Sequence, residues 1–437
     1  MIINEVNKLK RSYKIGQTIK FFRQLNNMNQ DTLAVGICTT SYLSRIENGL
    51  VEPNETVYRM LFERLHLDFT AYVEEGKKQV QLIEQIYEKL LSNGKIDKEE
   101  LEELHLLYEQ RTTPSIQVQV DLVYCRYLLS EDCVDEASCI LTSLSDLLLP
   151  SSSREWQLFV AVKTYYELMI GSYDAILNRE FQTNSKFYLS KCSSFEQANY
   201  VYHLAFASHR AYQFSLAKLY IQEAIQLFKY QYKPLFQVKL YSMHGVILNG
   251  LGQVEAALKE YHAAIDLLQH VPAIATDDQW SSIYNNLAFA YESDKQYTQA
   301  IKYYEKALTF QQDIHTRINY TRTLLFGGVK ELFSEKLQAL SNNDFIEGSH
   351  HQMQFFLMQA FEQIDELEGL EEFYKIEKKV FKYFIEEQHI ELILSYGPLV
   401  TKIYEDSKQY KRATELYRLL FETSEKMRQR VAVGDHS

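Results

Sequence analysis

One spacing pattern constrains this chain more than any other feature. Tyr241-x₃-Gly245-x₁₁-Ala257-x₃-Tyr261-x₂-Ala264 is repeated 43 residues on as Tyr284-x₃-Ala288-x₁₁-Ala300-x₃-Tyr304-x₂-Ala307. An aromatic opens one amphipathic helix and a small residue sits four positions later. Alanines and a second aromatic then recur on the following helix at helical spacing. A third copy runs through Leu204, Ala205, Ala217 and Ala224, and a fourth through Tyr404, Ala413 and Tyr417. Weaker copies begin near 80, 118, 156, 315 and 354. A helix pair of this kind cannot bury its apolar face alone, so successive pairs must stack. Only 15 Gly and 6 Pro in 437 residues leave little material for the turns of a β-rich fold.

This plan resembles the tetratricopeptide repeat, with a spacing of about 36–43 residues rather than about 34. The expected fold is all-α. A five-helix head is followed by a right-handed superhelix of about eight or nine helix pairs with a concave inner groove. The expected boundaries are 1–70 for the head, 71–79 for a linker and 80–430 for the repeats. PSSS at 150–153 and HVPAIATDD at 270–278 read as inter-repeat loops.

Charge is divided unevenly between these parts. The whole chain carries −12, yet residues 1–70 hold nine Lys/Arg against seven Asp/Glu, a net of +2, leaving −14 on the remainder. Before Asp31 the only acid is Glu5, against Lys8, Lys10, Arg11, Lys14, Lys20 and Arg23. A basic head on an acidic body fits a DNA-binding module attached to a second function. Five cysteines without a CxxC pair argue against a disulfide framework and against a thiolate zinc site. The start lacks a signal-peptide core and no run of about 18 apolar residues occurs, so a cytoplasmic protein without membrane contact is expected.

Residues 14–67 read as five short helices. Ile15, Ile19, Phe22 and Leu25 recur at helical spacing in the first, Asn29 can cap the second (QDTLAV), and GIC makes a tight turn. Thr39 can cap a third helix, TSYLSRIEN, which Gly49 stops with positive φ. Asn54 then opens a fourth helix carrying Val57, Met60 and Leu61. Two helices crossing through a short turn place the second in the major groove. Leu43 and Ile46 point to the core, while Thr39, Thr40, Ser41, Tyr42 and Arg45 lie toward the opposite face or the helix start. Arg45 can fork onto guanine, Thr40 and Ser41 can reach base edges or phosphates, and Gln30 can hold a phosphate at its helix start. The competing reading pairs Arg45 with Glu47 or Glu52 at the surface. NQDTLA followed by SYLSRIENG resembles the phage-repressor-like head, so the five helices are expected to form an Xre/Cro-type helix-turn-helix domain. Its short turn, ICTTSYLSRIENG, resembles that of the PlcR and NprR regulators.

On such arrays the first helix of each pair faces the groove. Its positions 2, 6 and 9 give Tyr202, Phe206 and His209, then Ser242, Val246 and Asn249, then Asn285 and Phe289. Asn319 follows, Arg210 lies beside His209, and Arg126 comes from an early repeat. Asparagine amides both donate and accept, which suits the backbone of an extended peptide, and the rings give apolar pockets. The competing reading makes these residues polar helix–helix contacts.

A repressor-like head on a long tetratricopeptide array resembles the Rap/Rgg/NprR/PlcR/PrgX family of quorum-sensing receptors, with length and repeat count closest to its NprR-like branch. That resemblance implies a homodimer that binds a double-stranded operator and a short signalling oligopeptide, the peptide altering how the two heads are placed. Two alternatives share the layout: a Rap-like regulator inhibiting a response regulator of sporulation, and a phage arbitrium-type receptor. No phosphate loop, dinucleotide fingerprint, HExxH or GxSxG occurs, so no enzyme and no cofactor are expected. His350 and His351 are adjacent, and neighbours on a helix diverge by about 100°, which argues against a shared metal.

Overall fold

The computed structural model describes residues 15–109, 114–190, 192–364 and 367–432, and among them there is helix and no strand. The chain divides into two compact units, one ending at Tyr200 and one beginning at Val201.

The first unit opens with four short helices: α1 (residues 15–25), α2 (Gln30–Ala34), α3 (Thr40–Glu47) and α4 (Glu55–Arg64). Their N-caps are the ones the sequence offers. Asn29 Oδ1 accepts from Thr32 N at 2.7 Å, Thr39 Oγ1 from Tyr42 N at 3.2 Å, and Asn54 Oδ1 from Val57 N at 3.0 Å. Ile19, Leu33, Leu43, Ile46, Leu61 and Phe62 form their shared core. Leu25 and Met60, expected inside, are exposed; Tyr58 and Phe62 take the inward positions on α4 instead. Gly16 lets α1 touch α3, since a Cβ there would stand 1.9 Å from the Ile46 carbonyl oxygen.

The fifth helix differs from the expected short segment. Asp68 caps α5 (Phe69–Asn93), which runs unbroken through residues 71–79 and ends on left-handed Gly94. Phe69 anchors it in the head core, and Ile83, Ile86, Tyr87 and Leu90 bury its other end. Gly76 inside this helix costs only about 1 kcal/mol, which burial at both ends outweighs. Then come α6 (Lys98–Glu109), α7 (Pro114–Ser130), α8 (Val134–Ser145), α9 (Arg154–Met169), α10 (Tyr173–Thr183) and the short α11 (Ser185–Leu189).

α12 (Ser194–Arg210) carries the chain into the second unit. There follow α13 (Phe214–Phe228), α14 (Pro234–Gly250), α15 (Val254–His270), α16 (Asp277–Ser293), α17 (Tyr297–Phe310), α18 (Ile314–Phe326) and α19 (Lys330–Gln338). The last four are α20 (His350–Glu362), α21 (Leu367–Glu386), α22 (Ile390–Asp406) and α23 (Tyr410–Ala432). The repeat signature is a packing rule here. Gly245 on α14 receives the Tyr261 ring of α15, and Ala288 on α16 lies in one buried cluster with Tyr304 of α17. First helices of successive pairs also touch, α14 on α16, α16 on α18 and α18 on α20, forming a continuous inner layer.

Candidate functional site

In the head, a buried ion pair fixes the geometry. Arg23 grips Glu47 with both arms, Nε to Oε1 at 2.6 Å and Nη2 to Oε2 at 2.9 Å, and the Glu47 contact raises the arginine further above its ordinary range. Gln30 Nε2 joins the same carboxylate at 2.7 Å. The Gln30 amide is therefore committed inside the head rather than free. Thr39 serves as the α3 cap, and the Thr40 hydroxyl donates to Asp31. Tyr42 packs partly on the core. Ser41 and Arg45 remain exposed on α3, without a side-chain partner among the described residues. Glu47 belongs to Arg23, so surface pairing of Arg45 with Glu47 does not occur. The basic residues Lys8, Lys10, Arg11 and Lys14 lie outside the described residues.

Arg126, on α7, stands in the first unit, whereas the other expected peptide contacts stand in the second. Its guanidinium lies 3.6 Å from the centre of the Tyr165 ring and is 6% exposed. Burial pulls its pKa below the ordinary value, opposed by Tyr165, which also hydrogen-bonds it, and by Tyr87 and Cys125. Among the described residues its Nε and Nη1 have no hydrogen-bond partner, and neither does Trp156 Nε1 on α9. A buried cation with idle donors is costly unless something else satisfies it.

The second unit's inner layer is a polar ladder. Asn249 Nδ2 donates to Ser293 Oγ at 3.2 Å, and Asn286 Nδ2 to Ser242 Oγ at 3.2 Å. Asn319 Nδ2 donates to Asn285 Oδ1 at 3.2 Å, and both residues are buried. Asn285 and Asn319 are thus brought together, but as a helix–helix contact. Asn249 is half-buried, with its Oδ1 unpaired. Phe289 lies under the Arg322 guanidinium, 5.9 Å away. On α12, Tyr202 packs on Phe236, Phe206 is half-buried, Arg210 is exposed, and His209 meets the edge of Phe214. Burial, with Arg210 beside it, pushes His209 down to about 4.

Two constellations escaped the sequence reading. Glu292 accepts from Arg322 Nε at 2.8 Å, Arg322 Nη2 at 3.0 Å, Thr323 Oγ1 at 2.9 Å and Tyr304 OH at 2.8 Å. Burial opposes the Arg322 charge, yet Glu292 overcomes it and holds the guanidinium above its usual range. The available signal was a charged residue inside the apolar run of INYTRTLLF. The second constellation groups His315, His350, His351 and His389. The rings of adjacent His350 and His351 lie 3.9 Å apart, because both occupy the first turn of α20, where side chains can swing past the helix end. The expectation that they diverge is corrected on this point.

Comparison with known proteins gives a consistent picture. The tetratricopeptide-repeat family model matches residues 281–313, from within α16 to just past the end of α17. Over 420 residues, 89% of this chain and 98% of the relative, the sequence is 24% identical to the transcriptional activator NprA of Geobacillus stearothermophilus. Among solved structures, a Rap protein complexed with competence and sporulation factor aligns with a TM-score of 0.67 at 15% identity, covering 81% of this chain and 99% of that one. The apo form of the quorum sensor NprR from B. thuringiensis aligns at 0.62 and 16% identity, covering 80% and 99%. The expected all-α repeat fold is therefore borne out and is shared with the Rap and NprR structures, and the similar relative is named a transcriptional activator. Among the described residues no helix is long and apolar enough to cross a membrane.

Proposed function

We propose that this chain is a peptide-responsive transcriptional regulator. It reads an operator with the exposed Ser41–Arg45 face of α3 and takes a short oligopeptide on its repeat helices. The peptide favours one arrangement of a homodimer's heads over another, a population shift rather than chemistry. The reading of α1–α4 as a DNA-binding head draws support from their capped helix–turn–helix sequence and from Arg45, which is exposed and unpaired among the described residues. The full-length relative named as a transcriptional activator favours this reading over a Rap-like protein–protein regulator.

The observation that carries the peptide half is Arg126. Among the described residues its buried Nε and Nη1 have no hydrogen-bond partner and no anion is shown beside them. A peptide carboxylate, from its C-terminus or an acidic side chain, supplies one that accepts in a bidentate manner. Within the second unit, the asparagine-bearing helices α14, α16 and α18 offer a separate candidate contact surface. The test is affinity selection from an oligopeptide pool, with bound peptides identified by mass spectrometry, for the wild-type chain and Arg126→Met. Removing an uncompensated buried charge should raise the melting temperature of the free protein while abolishing peptide capture. Undiminished capture by a well-folded Arg126→Met chain would remove the assignment.

A further inference from the structure

His315 lies in the first turn of α18, and His350 and His351 begin α20. One ring nitrogen from each lies within 4.8 Å of the others. Nδ1 of His315 and Nε2 of His351 are 3.0 Å apart. A tetrahedral zinc ion with bonds of about 2.0–2.1 Å holds its nitrogens roughly 3.4 Å from one another, so small side-chain rotations close the set. His389 stands behind it, its ring 5.0 Å from that of His350. None of the three needs to be unburied to be reached, since His315 is exposed and the other two are half-exposed.

The surroundings prepare these rings as ligands. Burial, with the neighbouring histidines, pushes His350 down to about 3; burial and His315 push His351 down to about 4. His315 and His389 are lowered as well. Burial favours the neutral imidazole, which is the form that binds metal. Arg210 and Arg322 disfavour a cation here and Asp313 favours one. Imidazole nitrogens donating directly to a borderline metal outweigh charges that act from a distance.

We propose that His315, His350 and His351 form a binding site for a divalent transition-metal ion of the zinc class, tying α18 to α20 with a fourth position open to water. All five cysteines precede Ser193, so this unit offers the ion no thiolate.

Binding there changes the polar ladder. Without metal, Nε2 of His315 meets Nδ2 of Asn319 at 3.2 Å and accepts, which places the ring proton on Nδ1, donated to His351. A metal at Nδ1 binds the other neutral tautomer: the ring loses the proton at Nδ1 and takes one up at Nε2 through solvent, with no net release. Asn319 must then accept through Oδ1, its amide turns over, and Asn285 loses its donor. Metal occupancy therefore resets the two asparagines at the centre of the inner layer. Any effect of this on peptide affinity rests on the peptide-receptor reading; the metal site itself does not.

Cobalt chloride titrated into untagged, metal-stripped full-length protein tests the site by calorimetry and visible spectroscopy. One equivalent per chain is expected, with the d–d bands of a low-coordinate nitrogen site, no thiolate charge-transfer band, and displacement by zinc chloride. His315→Asn and His351→Gln, each checked for unchanged helicity, should each weaken binding at least about tenfold, and Cys192→Ser should leave it alone. Absence of saturable binding, a thiolate band, or undiminished affinity in both histidine variants would overturn the proposal. Because no peptide or DNA enters the titration, its failure leaves the regulator reading standing, and the converse also holds.

Discussion

Glu292 accepts four hydrogen bonds from three side chains while remaining 7% exposed. Arg322 →Met would strand that carboxylate in the interior, and breaking one side of such a pair costs about 3–5 kcal/mol. Urea unfolding should show a loss of that size. The double change Glu292→Leu with Arg322→Met should recover much of it, because no charge is then left buried. A single variant as stable as wild type would show that the network holds nothing together. Residue identity was legible in the sequence at this scale, but pairing was not. Asn285 and Asn319 were recognisable as inner-layer asparagines from their helix positions; that they bond to each other depends on how two helices 34 residues apart come to lie side by side. The same holds for Arg23 and Glu47, and for Gln30, whose amide the Glu47 carboxylate claims.

At the scale of elements, the small residue on each first helix is a measure of how closely its partner approaches. A Cβ on Gly245 would stand 2.6 Å from the Tyr261 ring. Gly245→Ala should therefore destabilise the protein by about 1–3 kcal/mol despite alanine's better helix propensity, and Tyr261→Leu in the same chain should relieve part of the loss. An alanine variant that unfolds later in urea would contradict this packing. The helix pairs themselves were legible from periodicity, as were the caps Asn29, Thr39 and Asn54. The turns within the pairs were not. Seven of them close by the same six-residue bond, from Cys133 N to Leu128 O through Gln409 N to Tyr404 O. Each has a left-handed residue before the donor, Asp132, Gly171, Tyr212, Gly252, Lys295, Gly328 or Lys408. Four of these are not glycine, so the usual signal for a helix stop was missing. The expected linker at 71–79 fails for a related reason: nothing in it breaks a helix strongly enough to oppose burial at both ends of α5.

The whole molecule combines a basic head, whose α3 keeps one arginine exposed and unpaired among the described residues, with acidic helix pairs holding a buried arginine whose Nε and Nη1 have no hydrogen-bond partner among them. The contrast of a basic start with acidic repeats was legible from charge and repeat spacing, whereas the division between Tyr200 and Val201 was not. The location of Arg126, in a different compact unit from the asparagines, was not, because sequence distance does not report where compact units divide. Regulation requires that what the repeats bind alters what the head binds, and by linkage the two affinities must change by the same factor. The most direct measurement is fluorescence anisotropy of a labelled duplex from upstream of the chain's own gene. Full-length wild type and Arg45→Ala are titrated with and without the peptide that the wild-type chain captures. The expected result is binding that Arg45→Ala weakens by about 1–3 kcal/mol at unchanged melting temperature, and that peptide shifts by about 5–150-fold in the wild type. A duplex bound equally by both chains, with curves that peptide leaves in place, would contradict it.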